Sequence, residues 1–525
     1  MIQFVKKNKY LILFFVFLSL QVSSFSIFSV SNFESLNTPI YDGVMYDYQQ
    51  IKRYDKFHGD FSLINRLSQS IYEFKGNATS GLYSAFVTFL APSFLISKWD
   101  IFIRSFIGVL LFSLSYYLYF KEYWHKNWVL LSLGIFFQLP FFYHYRTGLG
   151  SSVPELVSAV YLLSGYLLIL FGIYQLKIRY LAFGLLVMLI AVFFRFNFFV
   201  YLVLLSPSLL FGLFNNWKFL SLRQRKRTCL LIVLFLLVFV SYIYIYFASF
   251  LNYYTKGSYA FTTISLSLSF MFEIFTEYFG YIGLFILLLI SVGNSIFSTN
   301  TPYNFINKKL LLFFPFSVFF SFIILYLKST NVPHIMSVMA LFLALFVVSR
   351  KFPIYLKEKK WVIYFMIVLY TIVLSANGYT IYHQKITDQY KTQNEVVSYV
   401  EKRLSNNQKV NFRCFFDSGI EIPIIVALYN RQKILYPLEG GFNVQDVFYP
   451  KSIDYHTNEY ITNLQSTELI IINSQQSRGL QIGEKALMIQ NNLRKYLLND
   501  PDYKIIKMIS SSFYSNLLVF QRLKK

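Results

Sequence analysis

Four aspartates fall close together in the passage NTPIYDGVMYDYQQIKRYDKFHGDF, residues 37 to 61: Asp42, Asp47, Asp55 and Asp60. Carboxylates in such a cluster can take a proton from a reacting hydroxyl or hold a divalent cation. Their surroundings sharpen the first reading. The chain is 56% hydrophobic and 21% aromatic, and the cluster begins just after the first long apolar run. Asp42 and Asp47 therefore belong where an apolar bilayer gives way to water, and a carboxylate in a partly apolar setting is the stronger base. Cations that could steady a substrate anion stand at or near the ends of apolar runs: Arg146, Arg195, Lys256, Lys328 and His334. Arg195, inside VFFRFNFF, is the costliest of these to keep in an apolar run. A substrate anion or a buried acid such as Glu155 would each account for it.

The elements that must position these residues are membrane-spanning helices. With 525 residues, a mean hydropathy of +0.48 and 14% charged residues, the chain has more apolar surface than a soluble core can hide. Apolar runs near 10–30, 101–120, 127–143, 155–175, 180–194, 197–214, 228–248, 271–293, 310–327, 335–349 and 361–379 read as spans, about eleven in all. The first run reads as a span, because it continues through QVSSFSIFSV to spanning length; a cleaved leader is the alternative, and either leaves the acids outside. In the short loops, nineteen Lys and Arg residues, from Lys6 to Lys360, fall in one alternate set. Three, Arg146, Lys256 and Lys328, fall in the other. This positive-inside bias puts the N-terminus in the cytoplasm and the acidic passage outside it. The formal charge of +23 is thus a loop pattern and no sign of nucleic-acid binding.

The expected organisation is a membrane region over 1–379 and a small extracytoplasmic α/β domain over 380–525. The first outer loop, 31–100, contains two half-apolar helices around SLINRLSQSIYEF and GLYSAFVTFLAPSFLI, of the kind that lie along a membrane surface. The tail alternates strand-like runs (KVNFRCFF, KILYPL, ELIIINS, YKIIKMI, NLLVFQR) with helical ones (TQNEVVSYVEKRL, IPIIVALYN, EKALMIQNNLRKYLL). LEGGFN lacks the spacing of a nucleotide loop. Cys229 and Cys414 lie in segments of unlike character, so neither a disulfide framework nor a Cys-based metal site is expected.

In the order of these features the chain resembles the multi-pass glycosyltransferases of the GT-C fold, the group that includes the protein O-mannosyltransferases and the lipid A aminoarabinose transferases. IYDGVMYDY stands where that family has its first-loop acidic motif, and SGLYSAFVTFLAPSFLI where it has its second surface helix. WDIFIRSFIGVLLFSLSYYLYFKEYW is similar to the span that follows, AVFFRFNFFVYLVLLSP to a short basic break between two mid-chain spans, and NVPHIMSVMALFLALFVV to a late-span entry. Asp42 is followed by Gly43 where many members carry a second acid. The resemblance implies an inverting transferase at the outer face of the cytoplasmic membrane. It would move a sugar from a polyprenyl phosphate to a glycan, lipid or protein acceptor. Asp42 would be the general base, with Asp47 as a second catalytic carboxylate. Arg146, Arg195, Lys328 and His334 would hold the phosphate, and the many Phe and Tyr residues suit a lipid groove. No cofactor is specified, and a divalent metal stays an open option. A polysaccharide polymerase or ligase, or a transporter of lipid-linked oligosaccharide, would also be multi-pass and aromatic-rich. The first would be expected to carry its large outer loop late between spans, and the second to place ionisable residues at mid-membrane.

Overall fold

The computed structural model describes residues 9–36, 47–48, 62–76, 81–94, 98–122, 126–145, 147–151, 153–196, 198–255, 276, 278–280, 332–348, scattered positions between 364 and 378, 388–404, 412–415, 422–432, 453–465, 467–475, 484–511 and 516–523. The spans expected at 271–293, 310–327 and 361–379 lie outside these residues or touch them only at isolated positions, and so do Asp42, Arg146, Lys256 and Lys328. The chain divides into two compact units. One comprises Met1–Val30, Arg53–Tyr254 and Phe261–His383; the other comprises Ser31–Lys52, Thr255–Ala260 and Gln384–Lys525.

The first unit is helical: α1 (Lys9–Leu36), α2 (Leu63–Gly76), α3 (Gly81–Phe94), α4 (Trp99–Phe120), α5 (Lys126–Phe136), α6 (Glu155–Tyr174), α7 (Ile178–Phe194), α8 (Phe198–Trp217), α9 (Leu222–Thr255) and α10 (Val332–Val348). Among the described residues, α1, α4, α6, α8 and α9 are long and apolar enough to cross a membrane, the architecture of a helical membrane protein. The most hydropathic window of α6 is 100% buried, whereas that of α9 is 17% buried. Helix α6 is therefore the centre of the bundle, packed by α4, α7, α8 and α10, and α9 presents its apolar side chains outward. Water gives no drive for helices to associate inside a bilayer, so close backbone approach and van der Waals contact must do it. Gly165 of α6 and Gly184 of α7 provide this. A Cβ on Gly165 would lie 2.6 Å from the Gly184 carbonyl oxygen, and one on Gly184 2.7 Å from that of Gly165.

One expected span is corrected. The run 127–143 is not a continuous helix: α5 ends at Phe136, and a 3₁₀ turn follows at Pro140–Tyr143. Pro140 cannot continue a helix and holds the preceding Leu139 extended, at φ −65° and ψ 136°. Eleven residues make a helix of about 16 Å, roughly half the hydrocarbon thickness.

Both helices expected in the first loop are present as α2 and α3, and they pack on each other. Helix α2 has the reverse of a soluble helix's polarity. Leu63, Ile64, Leu67, Ile71 and Tyr72 are exposed, while Ser70 is buried and Arg66, Gln69 and Glu73 are half-buried. Its polar face turns toward the protein: Gln69 donates to Glu73, and the Arg66 guanidinium lies 5.3 Å from the Phe89 ring centroid. Its C-terminal end is tied to the long helix, with Tyr246 Oη donating to the Phe74 carbonyl and the Phe74 ring against Tyr242 and Phe193. Acyl chains are the solvent that suits such an outer face. In protein reconstituted in a bilayer, with Cys229 and Cys414 replaced, spin labels at Ile64, Leu67 and Ile71 are expected to collide more with oxygen than with a water-soluble nickel chelate. Greater access for the chelate at all three positions would place this helix in water.

The second unit contains α11 (Asp388–Leu404), β1 (Phe412–Phe415), α12 (Ile422–Gln432), α13 (Ile453–Leu464), β2 (Leu469–Asn473), α14 (Glu484–Asn499), β3 (Tyr503–Ile509) and β4 (Leu517–Arg522). The sheet order is β1-β2-β4-β3, with β1 and β2 parallel and the other pairs antiparallel. A core of Tyr460, Leu464, Ile470, Ile472, Ile489, Leu493, Leu497, Tyr503 and Phe520 seats α13 and α14 on one side. Four of the five strand-like runs are strands, and the fifth, KILYPL, lies outside the described residues. Helix α13 is an addition that the sequence pattern did not yield.

Candidate functional site

The charged residues of the membrane unit gather at helix ends. Glu155 is the first residue of α6, and Arg195 is the C-cap of α7, its backbone extended at φ −145° and ψ 111°. Each sits at the helix end whose dipole favours its charge. The antiparallel packing of α6 and α7 brings the two together: Arg195 Nη2 is 2.8 Å from Glu155 Oε1, with side-chain exposures of 11% and 10%. A pair this dry holds only while both partners are present, because either charge alone would be stranded in a low dielectric.

A second cation, this one buried, lies at the same end. Arg104, in the second turn of α4, is 1% exposed. Its Nη2 donates to the Ser151 carbonyl, its guanidinium lies 4.8 Å from the Tyr83 ring centroid, and its own carbonyl accepts from Tyr161 Oη at 3.1 Å. Asp100, one helical turn earlier, is also buried and feels the Arg104 charge. Arg104 Nε and Nη1 have no hydrogen-bond partner among the described residues. Buried donors left in this state are costly and call for an explanation.

The 3₁₀ turn and the loop from it to α6 link the two cations, and they are pinned by hydroxyls from two helices. Ser26 Oγ donates to the Phe142 carbonyl at 2.7 Å, Ser29 Oγ to the Tyr143 carbonyl at 2.6 Å, and Ser105 Oγ to the Leu149 carbonyl at 2.7 Å. Gly150 N donates to Ser26 Oγ, and a Cβ at Gly150 would fall on the Ser26 carbonyl, so glycine is what lets the loop touch α1. His144 is buried in this loop, its ring stacked on Tyr278 at 4.7 Å and its Nδ1 3.3 Å from Thr147 Oγ1.

Of the residues singled out in the sequence, Asp42, Arg146 and Lys328 lie outside the described residues. Asp47 and Tyr48 have helical backbone and Asp47 is half-buried, and His334 is the third residue of α10. Arg195 and Glu155 are joined, the arrangement that the sequence weighed against a substrate role for Arg195. Among the described residues no three His, Cys, Asp or Glu side chains converge as a metal site would require. Asp100 and Arg104 were missed, although an acid and a base one helical turn apart inside WDIFIRSFIGV was a legible signal. No protein-family model matches this chain, and no curated protein matches it in sequence.

Proposed function

We propose that this chain is a membrane glycosyltransferase of the GT-C kind, transferring a sugar with inversion from a polyprenyl phosphate to an acceptor hydroxyl at the outer face of the cytoplasmic membrane. The observation that supports it best is the placing of Arg104, which is buried, and Arg195, whose side chain is 11% exposed, at one end of a helical bundle. Cations kept there suit a phosphate drawn in from the bilayer, and they stand at helix ends and not at mid-helix, where a transporter would need them. In the reaction, the acceptor oxygen bonds to the anomeric carbon as the bond from that carbon to the phosphate oxygen breaks. The polyprenyl phosphate leaves with the electron pair, and the hydroxyl proton passes to Asp42. A phosphate leaves readily without an acid, so the demands on the protein are a base and positive charge. Arg146, Lys328 and His334 join the arginines as phosphate ligands, and Asp47 assists Asp42. The second unit positions the acceptor.

Purified protein in lipid nanodiscs, given a polyprenyl-phosphate-linked sugar and candidate acceptors, is expected to release polyprenyl phosphate in step with acceptor glycosylation. Transport of the intact lipid-linked sugar across a vesicle with no bond broken would overturn the reading. The orientation is tested separately. In cells carrying Cys229→Ser and Cys414→Ala, a cysteine introduced at the exposed Tyr455 is expected to react with an impermeant thiol reagent, and one at Arg225 is not. The reverse pattern would put the acidic passage in the cytoplasm and remove Asp42 from the site.

A further inference from the structure

The second unit holds a buried polar group that its own fold does not use. Asn473, the last residue of β2, is 2% exposed, and neither Oδ1 nor Nδ2 of its side chain has a hydrogen-bond partner among the described residues. Its backbone is well occupied: Asn473 pairs with Leu517 across the β2–β4 ladder, and the neighbouring Ser474 N donates to the Asn516 carbonyl at 2.7 Å. The strand end is therefore fixed while the amide on it is left with a free donor and a free acceptor. Nearly all buried amides find partners, so one that lacks both calls for an explanation.

Its position points to a ligand. Strands β1 and β2 are parallel neighbours, with Phe415 opposite Ile472, so their carboxyl ends lie side by side at Asn473. In open α/β sheets, ligands bind outside the carboxyl ends of parallel strands. A cation stands at this end as well. Arg494 of α14 donates from Nη1 to the Asn473 carbonyl at 3.3 Å and from Nη2 to Asn491 Oδ1 at 2.6 Å. It is half-buried, burial draws its pKa down, and no carboxylate is paired with it among the described residues. A desolvated guanidinium without an acid favours an incoming anion.

We infer that the carboxyl end of β2 is a binding site for an acidic sugar, in which the Asn473 amide takes a hydroxyl pair and the Arg494 guanidinium takes a carboxylate or phosphate. This deepens the acceptor-positioning role proposed for the second unit and rests on it. The anionic group is the shared chemistry, and the probes separate its sources.

Full-length protein in nanodiscs is to be titrated with glucuronic acid, glucose 6-phosphate and glucose, with binding read by saturation-transfer NMR and unfolding followed in parallel. One of the two acidic sugars is expected to bind at least tenfold more tightly than glucose, and which one identifies the anion. Asn473→Leu should weaken that binding at least tenfold while leaving the melting temperature unchanged or raised, since an apolar side chain no longer strands an amide. Asn473→Ala serves the same purpose if the leucine variant does not fold. Arg494→Gln should remove the preference for the charged sugar and leave weak glucose binding. Failure of both acidic sugars to bind, or binding that Asn473→Leu and Asn473→Ala leave intact, overturns the site. Binding is read without donor, so a chain that binds but never transfers would refute the transferase reading alone. A chain that transfers but binds no acidic sugar would refute this site alone.

Discussion

Asp42→Asn is expected to lower the initial rate on a lipid-linked sugar by about 10²–10⁴-fold, the usual loss when a general base is removed. The amide keeps the size of the carboxylate and its hydrogen-bonding reach but cannot accept the acceptor's proton, so folding and donor binding should be kept. Asp47→Asn is expected to lose less. Asp55→Asn and Asp60→Asn, further from the first apolar run, are expected to stay near wild type. A near-normal rate for the Asp42 variant would remove it as the base. Equal large losses at Asp42 and Asp47, partly reversed by excess divalent cation, would make the two a metal-binding pair instead.

Breaking the Arg195–Glu155 pair is expected to have the largest effect on stability. Either Glu155→Leu or Arg195→Met leaves one charge buried and uncompensated, which typically costs about 3–5 kcal/mol. The double variant removes both charges, and well-packed apolar replacements of a buried pair are often neutral or stabilising. Thermal unfolding in detergent should therefore fall sharply in each single variant and recover in the double one. Turnover then divides the two roles of Arg195. Recovery of stability without recovery of rate would mean that Arg195 also reaches the phosphate. Recovery of both would make the pair purely structural and leave Arg104 as the buried cation of the site. A double variant no more stable than the single ones would show that the two charges do not depend on each other, against the 2.8 Å contact.

The amino-acid sequence by itself determined the class of this protein and the character of its tail. Apolar runs of spanning length, broken by basic clusters, have no stable solution in water, and the short apolar runs around Ile470, Ile505 and Val519, rich in Ile, Val and Leu, are strands where they pair. Even the surface helix Leu63–Gly76 was legible, because its apolar and polar residues repeat with a helical period. What the sequence could not supply was anything that depends on which segments meet. A hydropathy window counts apolar residues and not chain direction, so it ran on through Gln138 to Tyr143, where Pro140 ends the helical path. The same averaging hid Asp100 and Arg104, two charges diluted by their apolar neighbours in α4. The partner of Arg195 was one of two alternatives until the tertiary structure decided it. Gly165 and Gly184 let α6 and α7 approach closely enough that a residue forty positions away supplies the carboxylate. The unused amide of Asn473 is a tertiary fact of the same kind, since whether a polar atom finds a partner is settled only once its neighbours are in place.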